Sequence, residues 1–138
     1  MYSRILVPVD LETTDQLGKA LDLAARTAQD SDAEVVYVDV VDAVPTTSAR
    51  TEGERVQDRL KDFVAKQATH YGIKARDHVA QRSDLRLTVG PDIIKAAQEA
   101  DCDLIVMASH VPGLKDHILS SNAGYVASHA PMTVYVVR

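Results

Sequence analysis

Four short apolar, β-branched runs, set apart by stretches with helical spacing, constrain the fold of this chain more than any other feature. They are Arg4-Ile5-Leu6-Val7-Pro8-Val9, the segment Glu34 to Val41 with Val35, Val36, Val38 and Val40, the segment Asp103 to Ala108 with Leu104-Ile105-Val106-Met107, and Met132 to Val137. Their hydrophobicity is nearly continuous rather than alternating, as in strands covered on both faces of a parallel sheet. Between the first two, Leu17, Ala20, Leu21, Ala24 and Ala28 recur at three- and four-residue steps and predict an amphipathic helix. Asp10 ends the first strand, and Thr13 or Thr14 is placed to cap this helix. A second helix is predicted by Val56, Leu60, Phe63, Val64 and Ala68, ending near Tyr71-Gly72. A third opens at Gly90-Pro91 with Ile93, Ile94 and Ala97, and a last one runs from about Ser121 to His129.

The remaining segments carry weaker signals. Asp42 to Gly53, with Pro45, is expected to be a polar loop, and Ile73 to Ser83 an extended connection. Leu85, Leu87 and Val89 alternate with polar residues, as in a strand near a sheet edge. The alternation of strand and helix specifies an α/β domain, doubly wound, with a five-stranded, mainly parallel sheet flanked by about four helices and right-handed crossovers. With 138 residues, no repeat and no linker, a single domain over 1–138 is expected.

The charge balance narrows the partners. A net charge of −5 with interspersed Lys and Arg argues against a nucleic-acid or anionic-membrane surface. Five Tyr and one Phe leave few platforms on which bases could stack. Cys102 is the sole cysteine, so no disulfide can form within the chain. Its neighbours Asp101 and Asp103 disfavour a thiolate, which makes it structural filler. No run approaches the length of a membrane span and no signal peptide is visible, so a cytoplasmic location is expected.

In open parallel sheets, ligands bind beyond the carboxyl ends of the strands, where the strand order reverses. The segments best equipped for this leave the first and fourth strands: Pro8-Val9-Asp10 and Ala108-Ser109-His110-Val111. Further on, Ser120-Ser121-Asn122 opens the last helix, and a strand, a small-residue turn and a hydroxyl-rich helix start can hold a phosphate on backbone N–H groups. Ordinary helix capping accounts equally for Ser121 and Asn122, and for Asp10. Asp39 and Asp42 form a solvated acidic rim in this reading. His110 and His117 match no standard metal spacing. No Gly-x4-Gly-Lys-Ser/Thr loop, no Gly-x-Gly-x2-Gly after the first strand and no Gly-x-Ser-x-Gly elbow is present.

Several segments together resemble the universal stress protein family. Ile5-Leu6-Val7-Pro8-Val9-Asp10 is similar to that family's first strand and its Asp, and Val35-Val36-Tyr37-Val38-Asp39-Val40-Val41-Asp42 to its second. Leu104 to His110 resembles the strand that leads into Gly-Thr-His-Gly. Ser120 to Arg138, with His129-Ala130-Pro131, resembles the family's ending. Members that bind ATP carry Gly-x2-Gly-x9-Gly followed by Ser or Thr. Here Ala108, Val111 and Ser120 stand at the three glycine positions, Ser121 at the hydroxyl position, and Pro112 to Leu119 leaves a gap of eight residues. A subgroup with Ala-Ser-His after the fourth strand and Gly-Ser-Asn-Ala at the last helix is the most similar, and it retains nucleotide binding. Ser120 departs from that pattern too: it has neither the φ freedom nor the close backbone approach of Gly. Pro112 removes one N–H from the loop.

The resemblance implies a stress-response or regulatory module that binds ATP or AMP, with slow or no hydrolysis, since no residue stands out as a general base. Asp10 would hold the ribose or a phosphate-bound Mg²⁺, and Val40 would meet the adenine. Ala108, Ser109, His110 and Val111 would line the phosphate path, with Ser120, Ser121 and Asn122 as donors at the helix start. Pro8 and Val9 would belong to the nucleotide-binding residues as well. It also implies a homodimer paired through Thr133 to Val137, or a higher oligomer. The alternative is a dimeric protein-interaction module of the same fold whose nucleotide site has decayed, which Ser120, Pro112 and the shortened loop favour.

Overall fold

The computed structural model describes residues 1–41, 47–82, 89–109 and 116–138, with side chains for all of these except 47–53 and 116–121. Five parallel strands, β1 (Arg4–Pro8), β2 (Glu34–Val41), β3 (Lys74–Gln81), β4 (Leu104–Ala108) and β5 (Thr133–Val137), lie in the order β3-β2-β1-β4-β5. Four helices connect them: α1 (Gly18–Ser31), α2 (Thr47–Tyr71), α3 (Gly90–Glu99) and α4 (Asp116–His129). The sheet is therefore doubly wound, as the alternation of strand and helix patterns requires.

Side-chain alternation along the strands divides the core in two. Ile5, Val7, Val35, Tyr37, Leu104 and Val106 face α1 and α2, meeting Leu21, Ala24, Leu60 and Val64. Leu6, Val36, Val38, Ile105 and Met107 face α3 and α4, meeting Ile93, Ala97, Ala123 and Val126. Central strands sealed on both sides need apolar residues at every position, which is why β1, β2 and β4 were legible as continuous runs. Tyr37 is fully buried and stands edge-on to Phe63 of α2, with ring centroids 5.4 Å apart. Burial pushes its hydroxyl well above the usual tyrosine range.

The amino-terminal ends of the central strands are tied together by side chains. The backbone N–H groups of Ser3 and Arg4 donate to the Asp103 carboxylate at 2.9 to 3.2 Å, and Asp103 N–H returns a bond to Arg4 O at 3.0 Å. Arg4 reaches Glu34 of β2 at 3.0 Å and the Ala100 carbonyl at 2.8 Å. Cys102 is buried behind this network. Its thiol is pushed up to about 11, first by burial; Asp103 adds to the rise, while Arg4 and Arg76 oppose it. Burial, more than the acidic neighbours, is what favours the protonated thiol.

Four expectations are corrected. The third strand is Lys74–Gln81, where an extended connection was expected, and it pairs with β2 along its whole length. Val89 is the cap of α3 rather than the end of a strand, while Leu85 and Leu87 lie outside the described residues. The supposed polar loop gives way at Thr47 to α2. The last helix starts at Asp116 rather than Ser121. Asp42, and with it the rest of the acidic rim beyond Asp39, lies outside the described residues.

Candidate site at the carboxyl ends of β1 and β4

β1 and β4 are neighbours in the sheet, but the chain leaves them in opposite directions. From β1 it turns to α1 on one face, and from β4 it passes to α4 on the other. This divergence opens a crevice at the carboxyl edge. Pro8 and Val9 form its floor, with Val9 N–H bonded to Val38 O at 2.8 Å and the Val9 side chain in the core.

The turn after β1 is built around Asp10. The Glu12 N–H donates to Asp10 Oδ1 at 2.9 Å, and the Thr13 N–H to the Asp10 carbonyl at 3.0 Å. The carboxylate itself is exposed, and Oδ2 makes none of these bonds. Thr13 caps a short 3-10 turn, Thr14–Leu17, without using its side chain; its hydroxyl is buried and has no partner among the described residues. The expected Thr cap is thus absent, and Asp10 closes the turn in its place.

At the other wall, Ser109 N–H donates to Val137 O at 2.8 Å, which holds the exit of β4 against β5. Beside it opens a groove of about 1210 Å³, bounded by Gln16, Lys19, Ala108, Ser109, Gly124 and Arg138 among others. Asn122 of α4 adjoins this groove in sequence and is 1% exposed, yet neither its amide nitrogen nor its carbonyl oxygen has a partner among the described residues. A sealed carboxamide with both ends unpaired is costly, and such groups in native proteins call for a missing partner.

The structure thus brings Pro8, Val9, Asp10 and Val40 to one stretch of the carboxyl edge, with Ala108 and Ser109 on the far side of the crevice. His110 and Val111 lie outside the described residues. Ser120, Ser121 and Asn122 are within α4, past its first four residues. Their backbone N–H groups therefore belong to the helix ladder, and the expectation that they stand at a helix N-terminus is corrected.

The sequence suggests a solvated rim for Asp39, and the structure gives it a different setting. It is half-buried on β2, and its carboxyl is pushed up to about 6, first by burial, then by Asp10 and to a lesser degree Glu12, with Arg59 opposing. Arg59 reaches over from α2 and pairs with Glu12 at 3.2 Å. Among the described residues no group of three or more His, Cys, Asp or Glu is placed to hold a metal ion. Asp10 Oδ2 fits the single carboxylate that a phosphate-borne Mg²⁺ asks of a protein. No described helix is long and apolar enough to cross a membrane.

The universal stress protein family model matches residues 1–138. A universal stress protein of Methanothermobacter thermautotrophicus is 32% identical over 153 aligned positions, which cover 100% of this chain and 97% of that protein. The universal stress protein of Archaeoglobus fulgidus in complex with dAMP superposes with a TM-score of 0.73 at 22% identity, covering 99% of this chain and 98% of the other. A universal stress protein in complex with cAMP superposes with a TM-score of 0.73 at 18% identity, covering 99% and 97%. At these identities the two structures establish a common fold.

Proposed function

The chain belongs to the universal stress protein family, and from that premise we propose that it binds an adenine nucleotide, AMP or ATP, in the crevice between β1 and β4. The observation that carries this reading is the divergence of two adjacent parallel strands, with Asp10 on one side and Ser109 on the other. The unpaired carboxamide of Asn122 supports it, because a phosphate or ribose oxygen would accept from its nitrogen. Structural relatives in complex with dAMP and cAMP make an adenine nucleotide the natural ligand class. In this reading Asp10 accepts from the ribose hydroxyls or takes a nucleotide-borne Mg²⁺ through Oδ2. Val40 meets the base, and Ala108 to Val111 with Ser121 and Asn122 receive the phosphates. The role is regulatory binding rather than catalysis.

One observation favours the second reading, an interaction module with a decayed site: the N–H groups of Ser120 to Asn122 are engaged within α4. The two readings separate when the purified protein is denatured and its released small molecules are chromatographed, and the emptied protein is then titrated with AMP and with ATP, with and without Mg²⁺. Nucleotide binding predicts saturable heat that Asp10→Ala and Ser121→Ala weaken and Cys102→Ala leaves alone. The decayed-site reading predicts no released nucleotide and no heat up to millimolar ligand.

A further inference from the structure

The α3/α4 face of the sheet keeps a strip of apolar surface at its carboxyl edge. Val40 of β2 and Ala80 of β3 are register partners one step before their ladder ends, so they stand side by side on one face. Both pack against the core cluster that holds Ile93, Ala97 and Met107, and both remain partly exposed. α3 begins at this edge, and its cap, Val89, packs against the same cluster and is also partly exposed. The three side chains outline an apolar corner, with the fully buried Val38 next below Val40 on the same face. Continuing the β1–β2 register two residues past Pro8 and Val38 sets Asp10 level with Val40. Continuing the β1–β4 register four residues past Leu6 and Ile105 sets Ser109 level with Asp10. Across the edge the order is therefore Ala80, Val40, Asp10, Ser109: two apolar positions, a carboxylate and a hydroxyl, one strand spacing of about 4.8 Å between each.

We propose that Ala80 is a specificity-determining residue of this site, admitting purine nucleotides in preference to pyrimidine ones. The inference rests on the nucleotide reading above and gives the base its place. With the ribose at Asp10, the base extends over β2 and then toward β3. The ring bonded to the ribose covers Val40 in either class of nucleotide. Only a purine carries a second fused ring that reaches the next strand, about 4.8 Å further out. Ala80 leaves that place open because its side chain is a single methyl. Lodging the second ring in the corner of Ala80 and Val89 takes apolar surface of ring and protein out of water, a gain that a pyrimidine forgoes. The corner thus selects by the breadth of the base, and a longer side chain at position 80 would close it.

The test compares 5′-AMP with 5′-CMP by calorimetric titration, since the two share their ribose and phosphate. The native protein should bind 5′-AMP about tenfold or more tightly. Ala80→Leu, which extends a side chain into the corner, should weaken 5′-AMP about tenfold and leave 5′-CMP within about twofold. Unchanged binding of 5′-CMP also shows that the variant is folded, with its ribose and phosphate contacts intact. Ala80→Val, whose branched side chain suits a strand, should shift the preference in the same direction by a smaller factor, and it decides the matter if the leucine variant unfolds. Equal affinities for the two nucleotides in the native protein, or an undiminished preference in the folded variants, overturns the proposal. Failure of both nucleotides to bind the native protein overturns the nucleotide reading itself, a distinct result.

Discussion

Gly90, at the start of α3, passes the ring of Tyr125 so closely that a Cβ on it would stand 2.7 Å from Tyr125 Cδ1 and 3.1 Å from its Cβ. The neighbour is held near its own backbone and by stacking on His129, with ring centroids 4.1 Å apart, so it has little room to yield. Gly90→Ala should therefore cost about 1–3 kcal/mol of stability by overpacking the α3–α4 joint. Gly124→Ala in α4, where a Cβ meets nothing within 4 Å, should be neutral or slightly stabilising. Urea unfolding of the two variants checks the contrast.

Asp103 joins two strands that are far apart in sequence. Asp103→Ala leaves the Ser3 and Arg4 N–H groups without their acceptor, one partly buried and one exposed. The expected loss is about 1 kcal/mol, since water replaces part of the interaction. A lower urea midpoint with an unchanged slope is the signature.

Asp39 gives stability a definite pH dependence. Its folded-state carboxyl titrates at about 6 against an ordinary value of 3.8, so the folded protein holds the proton more tightly than the unfolded chain. The neutral form favours folding, and stability is lost as pH rises from about 4 through about 6. The carboxyl is partly exposed, so solvent screening reduces the effect to about 1 kcal/mol. Unfolding free energies across this range should fall for the native protein relative to Asp39→Asn, with the two converging at the acid end.

β5 is an edge strand with Val136 39% exposed, and an apolar edge of this kind invites pairing. The native protein is expected to sediment as a homodimer through Thr133 to Val137. Val136→Lys, which places a charge on that edge, should yield a folded monomer. A monomeric native protein would remove the pairing from the account.

The sequence exposed β1, β2, β4 and β5 because each is a compact apolar run; β2 emerged at Glu34–Val41, the bounds read from its valines. β3 was hidden because it is an edge strand whose residues, Lys74-Ala75-Arg76-Asp77-His78, are mostly charged and only partly buried, so neither periodicity nor hydrophobicity marks it. Leu85 and Leu87 carry the stronger alternation. The site was legible in its framework, from Asp10 to Ser109, because strand ends and strand order define it. The setting of Asp39 was not, since its half-burial depends on how α2 and the β1–α1 turn meet over β2. The start of α4 also escaped detection: Ser120-Ser121-Asn122 carries strong capping chemistry yet is overridden by a helix that begins at Asp116.

The most direct test of the nucleotide crevice follows backbone amide signals of the isotopically labelled protein by nuclear magnetic resonance while AMP is added. The account predicts saturable shifts at Val9, Asp10, Val40, Ser109 and Asn122, spanning the crevice from β2 to α4. Unchanged spectra up to millimolar AMP, or shifts confined to the outer edge at Lys74–Gln81, would contradict it.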